Sequence, residues 1–149
     1  MAWTDWGREQ VADDGALVDW SAFSRTRAEL GANFVRILGY FQEDGVKSLA
    51  QIEEAMRAKS AAELVLPAHT LKGESRQFGA EPLAECAETI EMIGRACVET
   101  HDTPDQALEH VVRLRPLFEK TLAALEREAN PLVQHRQAGF GRRAVFGQR

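Results

Sequence analysis

The chain reads FVRILGYF from Phe34 to Phe41, and this short stretch already indicates the fold. Its apolar residues recur at positions i, i+3, i+4 and i+7, which is the spacing of one face of an amphipathic α-helix. The same pattern continues as far as Met56. We therefore predict one long helix over residues 31–59, weakened at Gly45, where glycine costs about 1 kcal/mol relative to alanine.

Helical periodicity dominates the flanking sequence too, and no alternating apolar run of the kind that forms strands is present. Ser60 and Glu63 form a capping-box pattern at the start of a second long helix. This second long helix is predicted over residues 60–79. A shorter helix over residues 21–30, capped by Asp19 or Ser21, precedes the first long helix. Two further helices follow, one over residues 82–98 and one that starts with Thr103 as cap and Pro104 first and runs to residue 129. These lengths and short loops predict an all-α protein: an antiparallel up-and-down four-helix bundle with a short extra N-terminal helix.

The length of the chain, 149 residues, suits one domain with a real core. We assign the bundle to residues 19–129, an N-terminal extension to residues 1–18, and a basic, flexible tail to residues 130–149. The tail holds four arginines and no acidic residue, although the whole chain has a net charge of -5. It is either a disordered end or a basic arm that touches a partner or the acidic body.

Composition excludes several classes of protein. The acidic balance argues against nucleic acid as a partner, and no apolar run approaches the ~18 residues of a membrane span. No basic region followed by an apolar run opens the chain, so we expect a cytoplasmic protein. The two cysteines, Cys86 and Cys97, are eleven residues apart on one predicted helix, beyond disulfide reach, and we interpret both as small core residues.

The stretch HTLKGESRQFGA, residues 69–80, is the most informative for function. Lys72 and Gly73 follow His69 by three and four residues, so on a helix they lie over the same surface patch. Lysine supplies positive charge beside the ring, and glycine removes a side chain that would crowd it. Imidazole is largely neutral near pH 7 and has a ring nitrogen free to attack. The arrangement suits a nucleophile that accepts a phosphoryl group.

Helical geometry at about 100° per residue separates two faces of this segment. The core face holds Leu64, Ala68, Leu71, Ser75 and Phe78. A second stripe, about 100° away, holds Val65, His69, Lys72 and Arg76, with Gly73 beside it. The pattern therefore predicts that His69 is exposed. The other histidines, His101, His110 and His135, lack such neighbours and metal-ligand spacing, and we interpret them as surface residues.

The segment resembles the motif of the histidine-phosphotransfer (HPt) domain of bacterial multistep phosphorelays. The fixed positions of that motif are matched by His69, Leu71, Lys72, Gly73, Ser75, Gly79 and Ala80. The wider resemblance covers residues 19–128. It implies the same helical bundle and a phosphorelay carrier, which accepts a phosphoryl group from a receiver-domain aspartate and passes it to another receiver.

The resemblance also implies roles for individual residues. His69 would be the phosphoacceptor through Nε2, Lys72 would stabilise charge on the phosphoryl group, and Gly73 would give the partner room. Glu91 falls about where many HPt domains place a glutamine near the histidine, and a carboxylate there would hydrogen-bond the ring but repel a phosphate.

The same resemblance predicts the partners and the docking patch. The patch would include Val65, Leu66 and Arg76. Partners would be the receiver domains of response regulators and of a hybrid histidine kinase. The Mg²⁺ that the transfer needs would lie in the receiver, and this chain would bind no cofactor and act as a monomer.

Three other functions compete with the carrier. One is an adaptor that docks receivers without relaying, or a phosphate sink. Another is a metal-binding four-helix bundle, which needs inward Glu and His pairs that the pattern does not supply. The third is the phosphoacceptor domain of a chemotaxis-type kinase. The sequence has no phosphate-binding glycine loop, so we expect no ATP-dependent kinase activity of its own.

Overall fold

The computed structural model describes residues 17–129, which contain no strand. Its helices are α1 (Trp20–Leu30), α2 (Phe34–Arg57), α3 (Ala61–Gln77), α4 (Glu81–Thr100) and α5 (Leu108–Ala129), with 3₁₀ turns at Gly31–Asn33 and Asp105–Ala107. Four helices of 17 to 24 residues follow one another through short connections, which makes neighbours antiparallel. The predicted all-α four-helix bundle is confirmed.

Each long helix packs on the next, and α5 returns to α2 and closes the bundle. The core is filled by fully buried aromatic and aliphatic side chains from all four helices. The largest are Phe41, Leu49, Ile52, Leu64, Leu71, Leu83, Ile90, Leu114, Phe118 and Leu125. Because these positions recur at helical spacing, burial of one stripe per helix stabilises the whole arrangement.

The short helix α1 covers one end of the bundle. Asp19 caps it, since its side chain accepts hydrogen bonds from the backbone N–H groups of Ser21 and Ala22. Phe23 is buried, and its ring meets the ring of Phe34 edge-on at 5.3 Å. The extra N-terminal helix therefore belongs to the same core.

The bundle packing begins earlier than the predicted boundary at residue 19. Leu17 and Val18 are buried and belong to the core. At the other end α5 reaches Ala129, as predicted. The predicted flexible tail, residues 130–149, and residues 1–16 of the N-terminal extension lie outside the described residues.

The long helix predicted over residues 31–59 divides into a 3₁₀ turn and α2. α2 runs without a break past Gly45, which is buried. A Cβ atom built at Gly45 would collide with the ring of Phe118 on α5. The glycine that weakens the helix locally is therefore used for close packing of two helices.

One predicted helix start differs from the structure, and one predicted cap is formed only in part. Thr103 caps no α-helix, because Asp105–Ala107 forms a 3₁₀ turn and α5 begins only at Leu108. The Ser60 side chain accepts from the Glu63 backbone N–H, as a capping box requires. The reciprocal bond is replaced, since the Ser60 N–H donates to the Ala55 carbonyl at 2.9 Å. The tight turn after α2 therefore satisfies this donor itself.

None of the helices between residues 17 and 129 combines the length and the apolar character that a bilayer crossing requires.

Candidate functional site

The two faces of α3 are arranged as its sequence predicts. Leu64, Ala68, Leu71, Ser75 and Phe78 are all buried. The buried Ser75 hydroxyl donates to the Leu71 carbonyl at 2.6 Å, which satisfies the only polar side chain of this stripe. His69 lies outside the core, with 54% of its side chain exposed.

The turn between α3 and α4 sets how these two helices meet. Gly79 has φ +80°, a left-handed conformation that side chains disfavour. A Cβ atom there would also lie 2.6 Å from the Asp19 carbonyl oxygen. Ala80 is fully buried at the start of α4. The Gly-Ala pair therefore allows a tight reversal, and the resulting register brings α4 alongside the exposed histidine.

Glu91 of α4 lies directly behind His69. Its Oε2 is 3.0 Å from Nδ1 of His69, and only 5% of the Glu91 side chain is exposed. Lys72 Nζ lies 2.9 Å from Oε1, and Arg95 donates to Oε2 from Nε at 2.9 Å. One buried carboxylate thus holds the histidine and two cations together.

The electrostatics of Glu91 follow from these contacts. Burial by itself raises the pKa of this carboxyl, but the contacts from Lys72, Arg95 and His69 outweigh burial and hold the pKa at about 2. Glu91 is therefore ionised at neutral pH and can only accept hydrogen bonds. The Nδ1 atom of His69 must then carry the ring proton, which leaves the lone pair on Nε2.

Lys72 reaches the site from one turn along α3, with 20% of its side chain exposed. Its contact with Glu91 Oε1 is an ion pair, since that oxygen makes no well-aligned hydrogen bond. This ion pair still stabilises the carboxylate, because Coulomb attraction depends on the distance between the two charges and not on hydrogen-bond alignment. An ammonium group has three N–H donors, so Lys72 retains donors for an anion on His69.

Gly73 follows Lys72 on the exposed surface of α3. A Cβ atom built at this glycine would meet nothing within 4 Å. Nothing inside the protein therefore requires a glycine there. The helix accepts the local cost of glycine at a position that is open to a partner.

The other residues of the predicted docking patch occupy three different environments. Leu66 is 71% exposed, in a groove between α2 and α3 that Ala50 and Pro67 also line. Val65 is half-buried against Gly94 of α4. Arg76 is exposed but makes an ion pair with Glu88 at 2.9 Å, and so joins α3 to α4. Leu66 is thus the exposed apolar member of the patch.

Sequence reasoning missed Arg95 and Met92. Arg95 donates to the same Glu91 oxygen that His69 contacts, and 59% of its side chain is exposed. Met92, the residue after Glu91 on α4, is also exposed. The i, i+4 spacing of Glu91 and Arg95 is a signal for their ion pair, but only the register of α4 against α3 places that pair beside His69.

The remaining histidines stand apart from this cluster. His101 is exposed with φ +60° at the end of α4. His110 is half-buried rather than on the open surface, and its Nε2 lies 3.5 Å from Glu109. His135 lies outside the described residues. Within residues 17–129, no three His, Cys, Asp or Glu side chains are grouped to hold a metal ion, and both cysteines are unpaired.

Comparison with known proteins adds a family and a similar fold. The model of the Hpt domain family matches residues 36–129. The structure is similar to that of histidine-containing phosphotransfer protein B (HptB) from Pseudomonas aeruginosa PAO1, with a TM-score of 0.67 and 20% sequence identity. That match covers 75% of this chain and 93% of the other. No curated protein matches the sequence significantly.

Proposed function

The chain belongs to the Hpt domain family, whose function is histidine phosphotransfer in phosphorelay signalling, and we propose that His69 is its phosphoacceptor. One observation carries the proposal. An exposed histidine has its inner nitrogen held by an ionised carboxylate, and a lysine lies within the same cluster. The described contacts leave Nε2 as the ring nitrogen with the available lone pair.

In the proposed reaction Nε2 of His69 attacks the phosphorus of an aspartyl phosphate on a receiver domain. The transferred group passes through a loose, in-line transition state with negative charge on its three outer oxygens. Lys72 would stabilise that charge, because it follows His69 by about one helical turn and its ammonium group pairs with the carboxylate that contacts the ring. The second transfer, to another receiver aspartate, reverses these steps.

The partner receiver is proposed to dock over His69 and the open position at Gly73. Leu66 supplies an exposed apolar contact on one side, while Met92 and Arg95 line the other. Arg76 and Val65 support this surface from the α3–α4 interface. The Mg²⁺ ion that assists the transfer belongs to the receiver, and the carrier contributes the nucleophile without a cofactor of its own.

We further propose that the protein works as a monomer in the cytoplasm, with receivers of response regulators and of a hybrid kinase as partners. Its acidic balance, with a net charge of -5, does not favour binding to nucleic acid or to anionic lipid.

The test is phosphoryl transfer from a receiver domain that has been phosphorylated on its aspartate, with Mg²⁺ present. Transfer to this protein should be acid-labile, alkali-stable and lost in the His69→Gln variant. His101→Gln and His110→Gln are matched controls that should retain full labelling. Labelling that persists in His69→Gln would contradict the assignment. Receiver binding without any transfer would favour the docking adaptor.

A further inference from the structure

The side chain behind His69 carries a full negative charge, although a neutral acceptor would be enough to hold Nδ1. Oε2 of Glu91 accepts from both His69 and Arg95, while Oε1 pairs with Lys72. Two cations stabilise the carboxylate in its ionised form at a nearly buried position. The ring of His69 therefore faces a fixed anion at 3.0 Å.

We propose that the Glu91 carboxylate keeps the His69 ring protonated after phosphorylation, which makes this protein a rapidly discharging phosphoryl carrier rather than a phosphoryl store. The inference rests on the proposed function, since it requires a phosphoryl group on His69. It assigns to Glu91 the role of a positioning residue that acts through the histidine ring.

The proton on Nδ1 matters because it determines the charge of the ring after the first transfer and the leaving group in the second. When the lone pair of Nε2 forms the N–P bond, the P–O bond of the donor breaks and its electron pair stays on the aspartate carboxylate. The proton on Nδ1 remains, so the phosphorylated ring is an imidazolium. When the N–P bond later breaks, its electron pair returns to Nε2 and leaves neutral imidazole, while phosphorus bonds an acceptor oxygen.

Loss of the Nδ1 proton to solvent would change the second step. The phosphorylated ring would then be uncharged, and breaking its N–P bond would require an imidazolate, which is a much poorer leaving group. A carboxylate opposite Nδ1 favours the cationic ring, because an opposite charge at hydrogen-bond distance stabilises the charged form. The retained proton therefore speeds both transfer to an acceptor and hydrolysis by water.

The charged side chains to be considered come from all four long helices. From α3 itself Lys72 faces Glu91, and from α4 Arg95 does so. On the α2 side, Glu54 lies in the groove beside Leu66. α5 packs on the opposite flank of α4, where His110 pairs with Glu109. Arg95 shares the oxygen that His69 contacts, so it weakens the electrostatic attraction between Glu91 and the protonated ring.

The test uses the full chain, phosphorylated chemically with phosphoramidate so that no receiver is needed. After removal of the reagent, loss of the phosphohistidine signal is followed by ³¹P NMR between pH 5 and pH 9. Discharge is fast while the ring is protonated and slows as the proton is lost. In Glu91→Gln this change should occur about 1–3 pH units lower than in the wild type. Midway between the two transitions, the variant should therefore retain its phosphoryl group about 3- to 30-fold longer than the wild type.

Arg95→Gln is a second variant, and its expected shift of the transition pH has the opposite sign to that of Glu91→Gln. Arg95 is exposed, so its replacement should leave the fold intact and move the transition to higher pH. Circular dichroism checks that each variant is folded, and if Glu91→Gln does not fold, the Arg95 variant decides. Profiles that coincide with the wild type overturn the inference. A wild type with no phosphohistidine at His69 overturns the proposed function instead, so the two failures are distinguishable.

Discussion

Nδ1 of His69 and Oε2 of Glu91 lie 3.0 Å apart across the interface of α3 and α4. The contact joins an exposed side chain to a buried one, so the core of the bundle fixes the orientation of a ring that is open to solvent. It also fixes which nitrogen carries the proton, because an ionised carboxylate can only accept. An exposed histidine thereby has one defined ring nitrogen, Nε2, with an available lone pair.

Gly73→Ala should separate helix stability from partner access. Alanine is a better helix former than glycine, and its Cβ atom meets nothing within 4 Å, so unfolding should cost about 1 kcal/mol more. If a receiver packs over this position, the added methyl group should slow transfer about tenfold, as expected for overpacking of ~1–3 kcal/mol. Urea unfolding and the rate of transfer from a phosphorylated receiver check both effects.

Gly39→Ala is the matched control for Gly73→Ala. Gly39 is also helical, with open space around a built Cβ atom. It lies eleven residues, or about 16 Å, along α2 from Ala50, which lines the groove beside Leu66. The control should gain similar stability with an unchanged transfer rate. Equal rates for both variants would contradict a docking role for Gly73.

Glu74→Gln should stabilise the protein at alkaline pH. Burial of Glu74, together with a hydrogen bond to Asp44 and its charge, raises the pKa of this carboxyl to about 7. Because the pKa of Glu74 is higher in the fold than its ordinary value of 4.5, its contribution to the free energy of unfolding is complete below about pH 4.5 and is lost as the pH rises through about 7. The variant cannot ionise, so it should be more stable than the wild type at pH 8, and the difference should shrink towards pH 4.

Urea unfolding at both pH values measures this effect. Glu85→Gln removes a carboxylate from an exposed position of α4 and should show no such change of stability with pH. If Glu74→Gln and the wild type are equally stable at pH 8, Glu74 is not held in a proton-binding environment.

Helical periodicity was sufficient to predict the bundle and the faces of α3. Each of these depends on which residues in a helix share a side, and the spacing of Leu64, Leu71 and Phe78 determines that. The exposure of His69 followed from the same spacing. The 3₁₀ turn at Asp105–Ala107 was not predicted, because Thr103-Pro104 is an equally good helix start on local grounds.

Contacts between helices were beyond the reach of the sequence pattern. Arg95 is separated from His69 by 26 positions, and its place at the site depends on the register of α4 against α3. The Asp44–Glu74 pair likewise depends on how α2 meets α3. Glu91 was identified only through the family resemblance. Its two cationic partners, which keep it ionised, emerged from the packed structure.

The central claim is that Nε2 of His69 receives the phosphoryl group while Nδ1 keeps its proton towards Glu91. It is tested most directly by ¹⁵N–¹H correlation NMR of the histidine rings, recorded before and after phosphorylation of the ¹⁵N-labelled protein by a receiver. The account predicts a change of signal at one ring only, that of His69, with phosphorus coupling to Nε2 and a retained Nδ1–H signal. Phosphorus coupling to Nδ1, or to a ring nitrogen of another histidine, would contradict it.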